Sequence, residues 1–326
     1  MKKLSIILLS FLLILTGCSK PVENTKEKEA NKEKETIKIA ALKGPTAMGL
    51  VKLFNDSDEG KTEVKYEYKI LNSPDEAVTG LMKGEYDVCS LPSNLAAIIN
   101  NKKEDFIKVA AINTLGVLYI ASTNDDVKTI ADLKGKTLVT SGQGASPEFV
   151  LRHLLIENGL DPDKDVNIQY KSEHSEVVSD IVQNKDHIVM LPQPFLTVAQ
   201  KKVEGLKELI NLTEEWDKLK DSGKLIVGVT VVRNDFLKDH EEAFKTFLKE
   251  YKESVDFTKN DEAAKLVGKY EIVPEEIAKE ALPKCNITFI DGQKMEDDLA
   301  NYLKVLYDQE KKSVGGKLPG ENFYYK

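Results

Sequence analysis

The sequence predicts an α/β protein of two lobes, each built on a sheet of mainly parallel strands with helices on both faces. Short apolar, β-rich runs alternate with helical patterns between residues 36 and 232, as βαβ units do. The same grammar starts again near Val127. The length, 326 residues, accommodates about two domains.

Taken in order, residues 37–42 form a β-rich run ending at Gly44-Pro45, and Thr46 stands at the start of a helix carrying Met48, Val51 and Phe54 on one face. Residues 63–71 alternate as Val64, Tyr66, Tyr68 and Ile70, a half-buried strand. Ser73-Pro74 opens a helix, with Ser at the cap and Pro just inside. Strand 86–90 follows, then a helix from Pro92-Ser93, then apolar strands 106–113 and 117–122. The second unit has a short helix at 129–134, strand 136–140, a helix at 146–158 stopped by Gly159, strand 166–170, helix 175–183, strand 187–191 and a helix from about Phe195. A β-branched strand spans 225–232, and helices at 241–257, 261–270, 274–282 and 293–311 complete the chain.

Composition narrows the function. With 41% hydrophobic and 31% charged residues, the chain is neither disordered as a whole nor a polytopic membrane protein. Its net charge of −8 argues against coating a nucleic acid. Arg152 and Arg233 are its only arginines, so a site gripping carboxylate or phosphate with several guanidinium forks is excluded. Three Cys make no disulfide scaffold, and the four His are scattered. No metal and no cofactor are expected.

Lys2-Lys3 and an apolar stretch at 4–15 form a signal peptide, too short for a membrane span. Leu15-Thr16-Gly17-Cys18 resembles the lipobox of bacterial lipoproteins. This implies removal of residues 1–17 and a diacylglyceryl group, commonly with a further palmitate-type chain, on Cys18, at the extracytoplasmic face of the cell membrane. Residues 18–35 balance five Lys against five Glu with almost nothing to bury, the composition of a disordered tether.

Function should sit in the loops after the strands, because ligands of open α/β sheets bind outside the strands' carboxyl ends. Five such loops stand out: Lys43-Gly44-Pro45-Thr46-Ala47-Met48, Ser90-Leu91-Pro92-Ser93-Asn94, Asn113-Thr114-Leu115-Gly116, Ser141-Gly142-Gln143-Gly144 and Pro192-Gln193-Pro194-Phe195. Four run straight into a helix start, where free N–H groups and the helix dipole favour an anion or polar group. The candidate ligand-binding residues are Gly44, Pro45, Thr46, Ala47, Met48, Ser90, Pro92, Ser93, Asn94, Thr114, Ser141, Gly142, Gln143, Gly144, Gln193 and Pro194. Lys43 is the cation nearest the first loop. Glu148 and Arg152, four apart on a helix, read as a salt bridge. Trp216 reads as packing. Cys89 and Cys285 are either a disulfide of an exported chain or buried free thiols.

In the same order along the chain stand Lys43-Gly44-Pro45-Thr46-Ala47-Met48-Gly49, Gly84-Glu85-Tyr86-Asp87, Ile130-Ala131-Asp132-Leu133-Lys134-Gly135-Lys136 and the segment 187–199. Over nearly all of 36–326 the chain resembles the substrate-binding lipoproteins of ABC transporters, in particular the nitrate/sulfonate/taurine and thiamine-pyrimidine-precursor group. That resemblance implies the type II periplasmic-binding-protein fold, with two crossover strands and a ligand cleft between the lobes. Lobe one is then 36–121 plus 230–326 and lobe two 122–229, hinged near Ser122 and 228–232. It also implies a monomer that is not an enzyme and that delivers a small anionic or heterocyclic ligand (a sulfonate, a nitrate-like anion or a pyrimidine-like compound) to a permease and its ATPase. Two other readings are an enzyme acting on a heterocycle on the same fold and a sensing surface lipoprotein. The fold's pyrimidine-precursor synthases use a His and a Cys-rich segment that this sequence lacks.

Overall fold

The computed structural model describes residues 34–220 and 222–326. The signal peptide, Cys18 and most of the expected tether lie outside the described residues. Lys34 and Glu35, counted with the tether, already belong to the body: Lys34 Nζ donates to Thr62 O at 2.5 Å, and Glu35 O accepts from Lys65 N.

Eleven strands are described: β1 (Thr36–Leu42), β2 (Lys65–Leu71), β3 (Val88–Pro92), β4 (Ile107–Leu115), β5 (Leu118–Ser122), β6 (Thr137–Ser141), β7 (Asn167–Lys171), β8 (Ile188–Pro192), β9 (Lys207–Asn211), β10 (Ile226–Arg233) and β11 (Ile287–Ile290). They form a six-stranded sheet, β11-β4-β10-β3-β1-β2, and a five-stranded sheet, β7-β6-β8-β5-β9. In the first, β1 runs parallel to β2 and β3, and β10 runs antiparallel to both β3 and β4. In the second, β6 runs parallel to β7 and β8, and β5 runs antiparallel to both β8 and β9. Each sheet thus has four parallel strands and one reversed strand that the chain delivers from the other sheet, and the first sheet adds β11, a second reversed strand, at its edge beside β4. Every parallel strand ends, and each reversed strand begins, on the same edge of its sheet. That rule of direction places all five candidate loops on two facing edges.

The chain changes sheets between Leu115 and Leu118 and returns between Asn211 and Ile226. β5 therefore belongs to the second sheet, and β10 joins the first from Ile226 rather than from 230. Ser122 and 228–232, expected as hinges, lie inside paired strands. The apolar run 117–122 is as suited to one sheet as to the other, so its own residues could not assign it. At the first crossing, a Cβ on Gly116 would stand 2.1 Å from Thr213 Oγ1 and 2.8 Å from Leu225 Cδ2. Only glycine lets the outgoing and returning segments touch there.

Alternation on β1 turns Ile37, Ile39 and Ala41 to one face, where they pack with Met48, Phe54, Phe244, Phe247 and Tyr251. The last three line one stripe of helix Asn234–Phe257, which kinks at His240 (φ −132°); the expected start at 241 marks the segment beyond that kink. The opposite face shares one buried cluster with the second sheet, including Leu91, Ile112, Leu138, Leu154, Trp216 and Tyr302. Two strands escaped sequence reading. β9 (Lys-Glu-Leu-Ile-Asn) is an edge strand with two exposed charged residues, and β11 is a four-residue edge strand buried only in part; neither has the apolar run or full alternation that marks a strand.

Candidate functional site

A cavity of about 130 Å³ lies between the two edges, lined from the first sheet by the ends of β1, β3, β4 and β10 and from the second by β5, β6 and β8. Of the candidate residues, Gly44, Pro45, Thr46, Pro92, Thr114, Ser141, Gly142 and Gln193 line it, as does Lys43. Gly44 turns the chain at φ 137°, a conformation side chains resist, so that Pro45 and Thr46 reach the wall. Leu42, Leu91, Pro147, Glu173, His174 and Phe195 are among its other wall residues, and Asn72 and Ser172 add polar groups to it. Sequence reading missed Glu173 and His174, because β7 carries no loop motif and only its pairing with β6 brings its end to the cavity.

The other candidates stand elsewhere. Ala47 and Met48 are fully buried in the core of the first sheet, with Met48 Sδ 3.8 Å from Cys285 Sγ. Ser90 is buried inside that sheet, and Gln143 is exposed. Pro194 is buried but is not a wall residue. Ser93, Asn94 and Gly144 meet each other's lobes instead of a ligand. Asn94 Nδ2 donates to Gly144 O and to Ser313 O (3.1 Å each), and Asn94 Oδ1 accepts from Ser146 Oγ at 3.1 Å. Ser93 Oγ donates to Ile226 O at 2.7 Å and lies 3.1 Å from Ser146 Oγ. Ser93 and Asn94 open helix Ser93–Lys102 and Ser146 opens helix Ser146–Glu157, so the two helix starts meet side chain to side chain.

Arg152 makes a two-pronged contact with Asp163, 2.8 Å on each prong, away from the cavity. Its expected partner, Glu148, instead accepts from Gly144 N at 2.6 Å, because the carboxylate reaches back over the open turn that precedes its helix. Cys89 and Cys285 are free, buried thiols, and burial pushes both thiol pKa values up, that of Cys285 to about 12.

Within the cavity, Gln193 is fully buried; its Oε1 accepts from Thr197 Oγ1 at 2.8 Å, while its Nε2 has no partner. A buried donor left unpaired costs about 1–3 kcal/mol, which a ligand acceptor would offset. Ser141 Oγ lies 2.5 Å from His174 Nδ1, and the ring packs against Phe195 with centroids 5.0 Å apart. Burial pushes the His174 pKa down to about 4, so the ring is neutral at pH 7.

Comparison with known proteins agrees with this arrangement. Residues 52–277 match the family described as ABC transporter, phosphonate, periplasmic substrate-binding protein. The chain belongs to that family. Among curated proteins, this family member is similar to YtlA of Bacillus subtilis, named as a binding protein, with 21% identity over 192 residues, covering 58% of this chain and 55% of that one. A Brucella abortus binding protein is 29% identical over 150 residues, covering 46% of this chain and 44% of that protein. The chain thus spans about half the length of the curated relatives it matches. Among solved structures, an ABC transporter protein from Parabacteroides distasonis superposes with a TM-score of 0.73 at 23% identity, over 89% of this chain and 99% of that one. The periplasmic aliphatic sulphonate-binding protein SsuA of Escherichia coli gives 0.70 at 16%, over 90% and 92%. At such identities these likenesses establish the fold: the two-lobe periplasmic-binding-protein architecture, with one crossover strand from each lobe reversed in the other's sheet.

Proposed function

We propose that this substrate-binding protein is the extracytoplasmic solute receptor of an ABC importer, lipid-anchored through Cys18, monomeric and without catalytic activity of its own. The ligand occupies the 130 Å³ cavity and is delivered to a membrane permease driven by an ATPase. The observation that carries this reading is the fully buried, unpartnered Gln193 Nε2 in a cavity walled from both sheets. A cavity of comparable size holds benzene, so the ligand is compact; among the classes implied by the resemblance, a nitrate-like anion, a small sulfonate and a pyrimidine-like ring all pass on volume.

In this reading, lobe one is 36–115 plus 226–326, lobe two is 118–217, and the bending segments are Gly116-Val117 and the return before Ile226. A ligand touching both lobes favours the closed form only by its extra affinity for that form. A thermal-shift panel of metabolites on the full chain tests the receptor role. A true ligand at 100 times its Kd raises stability by about 2.7 kcal/mol and is recovered unchanged; conversion of the hit to a product would make the protein an enzyme instead.

The anchor has its own test. Two acyl chains hold a protein on a bilayer where one does not, so Cys18→Ala should move the protein from the membrane fraction to the soluble one. Equal membrane retention of that variant would remove Cys18 as the anchor.

A further inference from the structure

The two faces of the molecule join the lobes unequally. On one face a single buried cluster runs through both, from Leu91, Tyr302 and Leu303 in the first lobe to Leu138, Leu154 and Trp216 in the second. The facing helix starts add hydrogen bonds across the same junction: Asn94 Nδ2 donates to Gly144 O and Ser146 Oγ to Asn94 Oδ1, 3.1 Å each. Parting the lobes here would bring apolar surface into water. It would also break bonds among Ser93, Asn94 and Ser146, whose exposure is 0%.

On the opposite face the apolar cores stop at the lobe boundary. The buried residues of one core, from Ile37 to Cys285, all belong to the first lobe, and those of the other, from Tyr119 to Leu206, all belong to the second. Among the described residues, Val198 is the one apolar side chain that packs against both, and it is half-buried. The polar contacts described across this face are weak. Lys201, on helix Phe195–Lys202, pairs with Glu280, on helix Glu275–Ala281, both side chains about half exposed. Lys284 Nζ stands 3.9 Å from Glu208 Oε2, and Tyr119 Oη donates to Lys284 O at a long 3.5 Å. Exposed ion pairs contribute little to stability, so this face parts far more easily than the other.

The cavity lies against the weak face. Lys43, from the first lobe, and Phe195, from the second, line both the cavity and a neighbouring groove of about 480 Å³. The groove is walled by Val178 and Val198 from the second lobe and by Ile272, Val273 and Pro274 from the first. Lys43 and Phe195 thus stand between the two spaces, one on each lobe.

We propose that the cavity has one door, on this face. The lobes turn about their shared core, helix Phe195–Lys202 lifts from segment 271–280, and Lys43 and Phe195 part with their lobes to open the cavity into the groove. The seam that holds Asn94, Ser146 and Trp216 stays shut. A solute therefore enters and leaves past Phe195, whose ring rests on that of His174 with centroids 5.0 Å apart. The door rests on the receptor reading above only for the identity of what passes through it.

The test is pulsed electron paramagnetic resonance on the full chain carrying Cys18→Ala. Cys89 and Cys285 are buried, so nitroxide labels go to the introduced thiols. One label pair spans the door, at Val182 and Lys265, and another spans the seam, at Glu157 and Lys294; all four positions are exposed. Val198→Asp puts a charge into the one apolar contact at the door, and Lys201→Glu sets like charges against Glu280. Each should raise the long-distance population of the door pair at least twofold and leave the seam distances unchanged. Seam distances that lengthen together with the door's would overturn the proposal, as would door distances that neither variant moves. Either failure leaves solute capture standing, because the thermal-shift panel reads binding whatever the route; a panel without a hit would count against the receptor and not against the door.

Discussion

Ser141→Leu is expected to abolish ligand capture, with a loss of at least 100-fold, or about 2.7 kcal/mol. Ser141 is 1% exposed at the end of β6, and its hydroxyl faces His174 across the cavity wall. A leucine there projects into a space of about 130 Å³, so it competes directly with a ligand. It also breaks the contact with His174 and adds a crowding cost of about 1–3 kcal/mol to the free protein. Thr46→Leu separates the two effects. Thr46 sits on the opposite wall, from the first sheet, and is only half-buried, so the substitution fills the cavity with little cost to folding. Calorimetry on the hit from the thermal-shift panel, with urea unfolding of the free proteins, reads both quantities. Wild-type affinity in both variants would mean that the ligand binds elsewhere.

Trp216→Ala is expected to destabilise the protein by about 3–5 kcal/mol, the range for emptying a large buried aromatic site. For a chain of this size that is a fall in Tm on the order of 10 °C. Trp216 is fully buried on the segment returning from β9 to β10. Its ring centroid lies 5.1 Å from that of His153, on helix Ser146–Glu157, and 5.6 Å from that of Tyr302, on helix Gly292–Gln309. The indole thus packs a helix from the second lobe against one from the first, and its Nε1 donates to Gly223 O at 3.2 Å. Truncation would leave a cavity at that junction and strand the Gly223 carbonyl. Trp216→Phe should recover much of the loss by refilling the space without the hydrogen bond. A change under about 1 kcal/mol in the alanine variant would show that the junction collapses to fill the gap.

The alternation of Val64, Tyr66, Tyr68 and Ile70 and the helical spacing of Met48, Val51 and Phe54 were legible because strand and helix periods are written in consecutive residues. So were the loops that carry Gly44, Thr46, Ser141 and Gln193, since glycine and proline mark turns locally. The expected anion preference followed from those same loops, by the ordinary chemistry of helix starts.

Residue order alone thus determined most of the strands and helices (the edge strands β9 and β11 excepted), the loops that follow parallel strands, and the family to which the chain belongs. Three matters were decided only by the tertiary structure: the sheet that takes β5, the burial of Ser93 and Asn94 against Ser146 and Gly144, and the entry of Glu173 and His174 into the cavity. Each depends on a partner far along the chain, as Asn94 depends on Gly144 and Ser313. Hydrogen-bond direction is of the same kind. A threonine in a loop is donor or acceptor to a ligand according to whether another oxygen already holds its proton, and for Thr46 and Thr114 that follows from the folded geometry of Leu42 and Asn113.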